Sequence, residues 1–234
     1  MSLLTLVQTT CDSIGLPRPS VVITSTDQNI RTLLALANTS GEELMKRYEW
    51  QELTKEATFT STGTISQGSL VSIASDFDRF INDTFWNRGL REKIIGPVTQ
   101  QEWQKDLSFN VVGPPFKFIV NDGTVYVGPT ALAAGQTLAF NYITQNWCQS
   151  SGGTGQTAWT ADTDTAKVPE RIHRLDLIWR FKAAKGLTYA EDLETAERAI
   201  EKHFGTNTGR RILFIGGSDV RFFSENIPNG DWPS

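Results

Sequence analysis

The chain is short of the residues on which most catalytic and metal chemistry depends: two cysteines and two histidines in 234 positions. Cys11 and Cys148 lie far apart with no CxxC spacing, so neither a disulfide framework nor a thiolate metal site is indicated, and both are expected to be buried free thiols. His173 and His203 fit no HExxH spacing and are read as surface or helix-end histidines. No stretch approaches the ~18 consecutive apolar residues of a membrane-spanning helix. The apolar opening Leu3, Leu4, Leu6, Val7 gives way to Gln8, Thr9 and Thr10, so a soluble, non-secreted protein is expected. Positive charge is not in excess either. The 22 Lys and Arg against 26 Asp and Glu leave a net charge of −4, which argues against a general nucleic-acid binder but suits a surface that DNA passes without sticking.

What is present is an ordinary globular composition, 39% hydrophobic and 21% charged, enough for one large domain or two smaller ones. Charge is distributed unevenly. None occurs from Gly123 to Ala161, whereas Glu170 to Lys202 is dense in both signs.

Leu3, Leu4, Val7, Cys11 and Ile14 recur at helical spacing and stop at Gly15-Leu16-Pro17. Ser25 with Gln28 fits a capping box opening a long helix to about Trp50. Near the other end, Pro169 fits the first turn of a helix that Gly186 terminates, with Ile172, Leu175, Ile178, Trp179 and Ala183 as its apolar positions. Thr188 with Glu191 opens another, with Ala190, Leu193, Ala196, Ile200 and Phe204 on one side, making 170–204 a helical hairpin.

From Gln51 to about Thr165 the residue types shift to Thr, Val, Ile, Phe, Gly and Ser, which is β territory. Phe116 to Val127 around Asn121-Asp122-Gly123 reads as a hairpin, and Leu138, Phe140 and Tyr142 alternate as a strand with one buried face. Thr99 with Glu102 marks a short helix through Trp103, and Gln149 to Gln156 reads as a flexible loop. Past Gly205, Ile212–Ile215 reads as a strand and 228–234 as an exposed tail.

The fold class predicted is α+β: a discontinuous helical bundle from 1–50 and 166–209, an inserted antiparallel β-sandwich-like wing over 51–165, and a C-terminal strand and extended tail over 210–234.

Few residue patterns carry candidate chemistry. Gly152 to Thr157 lacks the Lys-Ser/Thr of a phosphate loop. Asp162-Thr163-Asp164-Thr165 opens like a calcium loop but lacks its later Gly and Glu, so a turn or cap is expected. Asp76 and Asp78 flank Phe77 in what reads as a turn burying that ring. Seven tryptophans are the one anomaly; exposed ones would stack on sugars, and Trp147 and Trp159 are the residues on which a carbohydrate-binding or tail-fibre-type β module would rest.

The order of motifs is more informative than any one of them. Tyr48-Glu49-Trp50 and Leu53 lead through Ala57 to Thr60 into the block Ser75-Asp76-Phe77-Asp78-Arg79-Phe80, followed by Trp86, Gly96-Pro97-Val98-Thr99 and Glu102-Trp103. Val125 to Pro129, Gly135-Gln136-Thr137 with Phe140 and Tyr142, Trp159 to Glu170, Trp179 and Lys185-Gly186-Leu187 come next. In this order the chain resembles the head-to-tail adaptor proteins of short-tailed bacteriophages, the connector or head completion group that includes tail tubular protein A. Leu70 to Ser75 departs from the Tyr and Leu-Pro that often precede the Asp-Phe block in that group.

The resemblance implies a non-enzymatic virion protein at the head-tail junction, assembled in the host cytoplasm and needing no cofactor. It would form a homo-oligomeric ring, typically twelvefold, below the portal protein, extend the DNA channel and present a platform for a tail or nozzle protein. DNA would pass through the lumen without specific binding. For portal docking the C-terminal Arg210, Arg211, Phe214, Phe222, Phe223 and Trp232 combine charge with large apolar groups on a chain end able to order on binding. For ring contacts the mixed charges Arg174, Arg180, Lys182, Glu194 and Glu197 on the hairpin are the candidates.

Overall fold

The structure is a computed structural model in which residues 2–109 and 115–207 are described. The first helix, α1 (Leu3–Ile14), is tied at its start by two unlike devices. The Ser2 hydroxyl accepts from the Thr5 N–H, and the N–H groups of Leu3 and Leu4 donate to the backbone oxygens of Asp164 and Asp162 at 2.8 and 3.1 Å. Four N–H groups at a helix start lack helical partners, and here a segment some 160 residues away supplies acceptors for two. Helix α2 (Gln28–Arg47) is capped by Asp27, whose carboxylate accepts from the N–H groups of Asn29 and Ile30. The expected Ser25 cap is thus displaced by two residues, because an Asp at the N-cap position competes successfully for the same donors; Ser25 accepts instead from the Asp27 N–H.

After a 3-10 turn (Gln51–Leu53) come β1 (Thr54–Thr60), β2 (Ser66–Ser69), the short α3 (Leu70–Ile73), β3 (Phe77–Phe80), β4 (Trp86–Asn87) and β5 (Glu92–Lys93). Then follow α4 (Gln100–Phe109), β6 (Lys117–Asn121), β7 (Thr124–Gly128), β8 (Thr137–Thr144), β9 (Cys148–Gln149), β10 (Gly155–Gln156) and β11 (Thr165–Ala166). The last described elements are α5 (Glu170–Ala184) and α6 (Ala190–Asn207). The molecule is therefore α+β, with three antiparallel sheets. Among the described residues no helix is long and apolar enough to cross a membrane.

Strands β6 and β7 form the predicted hairpin, with Asn121 opposite Thr124 and Asp122 and Gly123 at φ 47° and 66°, the left-handed pair that a two-residue turn requires. Helix α4 takes its N-terminal partner from Thr99, which accepts from the Glu102 N–H, as its sequence implies.

Strand β8 departs from expectation: beside Leu138, Phe140 and Tyr142 on one face, Ala139 and Ile143 on the other are buried as well. It is central, with β1 along one edge over seven residue pairs from Thr54–Ile143 to Thr60–Thr137, and β3 and β4 in succession along the other. The Gln149–Gln156 stretch is likewise more ordered than a linker. Its ends pair as β9 and β10, and Ser150 exchanges backbone hydrogen bonds with Thr154 and Gly153.

Two hydrophobic clusters hold these elements. One joins α1, α2, α5 and α6 through Leu6, Leu33, Leu44, Leu177, Phe181 and Ile200, and includes Ile143, Trp147, Cys148 and Trp159 from the β-rich stretch. The other is built on Phe85, Phe118, Val125, Val127, Leu138, Phe140 and Tyr142. Gly41 of α2 shows how close the first packing is. A Cβ there would lie 2.4 Å from the Trp147 ring, so only glycine lets the helix settle on the indole.

Helices α5 and α6 form the predicted hairpin, joined at Gly186, whose N–H bonds to the Ala183 carbonyl while the Leu187 N–H bonds back to Lys182. Pro169 caps α5 from just outside, its carbonyl accepting from Ile172 and His173. The first turn of α6 closes on the carbonyl of Tyr189, not Thr188. The buried face of α5 is carried by Ile172, His173, Asp176, Leu177, Ile178 and Phe181, rotated from the predicted stripe, with Trp179 only half-buried.

Candidate functional site

The charged residues of the helical hairpin are brought together with α2 in one laced face. Arg180 of α5 donates to Asp176 on its own helix at 2.6 Å and to Glu43 of α2 at 2.7 Å, and its guanidinium lies 4.6 Å over the Trp179 ring. Arg47 at the end of α2 makes a two-pronged pair with Glu197 of α6, both contacts at 2.6 Å. Lys182 of α5 meets Asp192 of α6 at 2.6 Å, and Arg198 pairs with Glu194 one turn away. Four of the five hairpin residues singled out for ring contacts, Arg180, Lys182, Glu194 and Glu197, thus have partners within the chain. The fifth, Arg174, is half-buried and makes no ion pair among the described residues. The cross-helix partners Glu43, Arg47 and Asp192 carry no sequence signal, since each pair joins different helices; only Glu194–Arg198 is visible as an i, i+4 spacing.

At the tip of this hairpin Leu187 is 56% exposed and Tyr189 42%, with the Tyr189 ring 6.2 Å from Trp179. Sequence reading passes over these two because they lie in a turn, where periodicity gives no face. The portal-docking candidates Arg210, Arg211, Phe214, Phe222, Phe223 and Trp232 lie outside the described residues, as do the strand and tail predicted there.

His173 departs from the surface or helix-end reading, whereas His203 lies near the end of α6. His173 is fully buried, its Nε2 3.2 Å from the Ala37 carbonyl, its ring 5.9 Å from both Trp147 and Trp159. The carbonyl can only accept, so Nε2 carries the proton, and burial pushes the pKa down by penalising the imidazolium. His203 is half-buried, 5.5 Å from the Trp50 ring and 3.6 Å from Glu52. The indoles of Trp147 and Trp159 are buried and packed edge to face at 5.2 Å, so neither offers a face to a sugar, and the glycan surface expected of them is not there.

The Asp-Phe block is a clasp. Asp76 accepts from Lys55 Nζ, Thr144 Oγ1 and the Tyr142 hydroxyl at 2.5, 2.6 and 2.7 Å. Burial works to raise its pKa, but those three donors outweigh it and hold the carboxyl well below the usual range. Tyr142 is pushed up in turn, by burial and by the carboxylate it donates to. Two residues on, Arg79 pairs with Asp78 and donates to the carbonyls of Met45 and Tyr48 at the end of α2.

The Asp162–Asp164 turn caps backbone, as expected. Asp162 accepts from the N–H groups of Val22 and Ile23, and Asp164 from those of Thr160 and Ala161 and from the Thr160 hydroxyl. Both cysteines are buried and free, and Cys148 is pushed up to about 12 by burial and by Asp164. Among the described residues no group of three His, Cys, Asp or Glu is placed to hold a metal ion.

The arrangement is thus one of structural clasps within the chain and an exposed helical tip. No curated protein matches the chain. The family model described as SU10 adaptor protein matches residues 1–212, a span that takes in both hydrophobic clusters and all the clasps above. The chain belongs to the SU10 adaptor protein family of phage head-tail adaptors.

Proposed function

We propose that the protein is a structural head-to-tail adaptor, without catalytic activity, that docks on the portal protein, extends the DNA channel and receives a tail or nozzle protein. The observation that carries this reading is the family match over residues 1–212. In it the helices form a body from which the β unit stands as a wing, and copies pack side by side as a ring, twelvefold in the typical case. The C-terminal segment with Arg210, Arg211, Phe214, Phe222, Phe223 and Trp232 reaches the portal. Ring packing uses the α5–α6 face, with Arg174 as a cation still open to a neighbour and the exposed Leu187 and Tyr189 as apolar contacts. Arg180, Lys182, Glu194 and Glu197 take part by sharing their existing partners across the contact. The acidic balance of the chain suits a lumen that DNA crosses without adhering.

The test is the mass of the purified chain by light scattering, with and without the portal ring of the same phage. Joining that ring in a fixed multiple of copies is the expected result. A chain that leaves the portal's mass unchanged overturns the reading.

A further inference from the structure

Trp86 is the exposed member of the six described tryptophans, 38% accessible, and it projects from the outer face of the five-stranded sheet. In β4 it lies opposite Ala139 on β8 and Lys93 on β5. The pleat places Asn141 and its β1 partner Glu56 on the same face as Ala139. Beside the indole is a groove of about 530 Å³. Its lining is unlike the core of a protein interface, which is poor in charge: no aliphatic side chain larger than Ala139 lines it, and the remainder is Asp, Glu, Arg, Asn and Thr.

Three features point to one ligand chemistry. The indole has no ring partner among the described residues, leaving a flat apolar face to cover a ring of C–H groups. Asn141, on the same face as Ala139 and in the lining, brings a side-chain amide to the groove that can bond a ligand hydroxyl. The charges around the groove are paired, Glu56 with Arg88 and Asp83 with Lys93, except for Arg91, which makes no ion pair among the described residues. A pyranose has an apolar C–H face and a rim of hydroxyls, and a carboxylate on it would answer the open guanidinium.

We propose that this groove binds an acidic saccharide unit, with Trp86 against the ring face, Asn141 on its hydroxyls and Arg91 on its carboxylate. The site lies on the sheet and is independent of the adaptor reading.

The test uses the full chain titrated with methyl β-D-glucuronide, and with methyl β-D-glucoside as the neutral counterpart, following the Trp86 indole N–H by NMR. The expected result is a saturable shift with the glucuronide, at least about tenfold tighter than with the glucoside. It should be lost in Trp86→Ala. Arg91→Asn, which suits the left-handed backbone at φ 58°, should bring the glucuronide down to the glucoside's affinity. Unchanged far-ultraviolet circular dichroism would show that both variants fold. Equal affinity for the two glycosides would overturn the acidic assignment. A shift that never saturates with either, or one that survives Trp86→Ala elsewhere in the spectrum, would overturn the site.

Discussion

The guanidinium of Arg79 donates to the carbonyl oxygen of Tyr48 at 2.6 Å, so the Asp-Phe block of the β-rich stretch holds the end of the longest helix. The last carbonyls of a helix lack intrahelical donors, and here Arg79 serves both Met45 and Tyr48. Replacing Arg79 with Met keeps the stem but removes both charged donations. It should cost about 2–3 kcal/mol, read as a lower urea midpoint with an unchanged slope.

Asp76 supplies a pH dependence whose sign follows from its partners. Its folded pKa lies below the unfolded value near 3.9, so its stabilisation is fully present above that value and is lost as the pH falls below it. Asp76→Asn should therefore destabilise the protein at pH 7, by about 1–3 kcal/mol for the lost carboxylate hydrogen bonds. The gap to the parent should narrow below about pH 4 in parallel urea titrations.

His173 works at milder acidity. Burial depresses its folded pKa, with Asp176 opposing and Arg180 reinforcing the shift, and only the neutral ring suits the box of Trp147 and Trp159. Its stabilisation is intact above the unfolded pKa of about 6.5 and falls as the pH drops through and below it. Between pH 7.5 and 5 the parent's melting temperature should decline more than that of His173→Phe, which cannot titrate.

How far these features are legible in the sequence depends on whether the cause is local. The Asp122-Gly123 hairpin, the Thr99 cap and the stop at Gly186 are local, and each is where its residues imply. Burial of His173 is not: it is set by which helices cross at Ala37 and by two tryptophans from a remote segment, so a polar-looking stretch conceals it. Strand β8 alternates like a half-exposed strand because its second face mixes the polar Thr137 and Asn141 with the buried Ala139 and Ile143, the alanine too small to register as apolar signal. The family was readable from the order of motifs over most of the chain, whereas which tryptophan stays outside, Trp86 and not Trp147 or Trp159, depends on packing alone.

Gly41→Ala is the smallest change expected to disturb the helical cluster. Its methyl would meet the ring of the fully buried Trp147 at 2.4 Å, so the helix or the indole must shift. A loss of about 3 kcal/mol is expected, at the upper end for one added methyl in a packed core. Near-ultraviolet circular dichroism of the tryptophans would report the same displacement.

The Cys148 thiol should be inert in the folded chain, since burial and Asp164 raise its pKa to about 12. Iodoacetamide at pH 8 should leave Cys148 unmodified until urea opens the cluster, with peptide mass spectrometry as the readout.

On β8, Tyr142 belongs to one hydrophobic cluster and Ile143 to the other, with a single peptide bond between them. Neither cluster can melt without drawing the same strand out of its neighbour. Heat should therefore find one cooperative transition where the alternation of helical and β-rich stretches suggests two, and a mechanical load applied to the sheet would reach the helices without passing through a compliant joint.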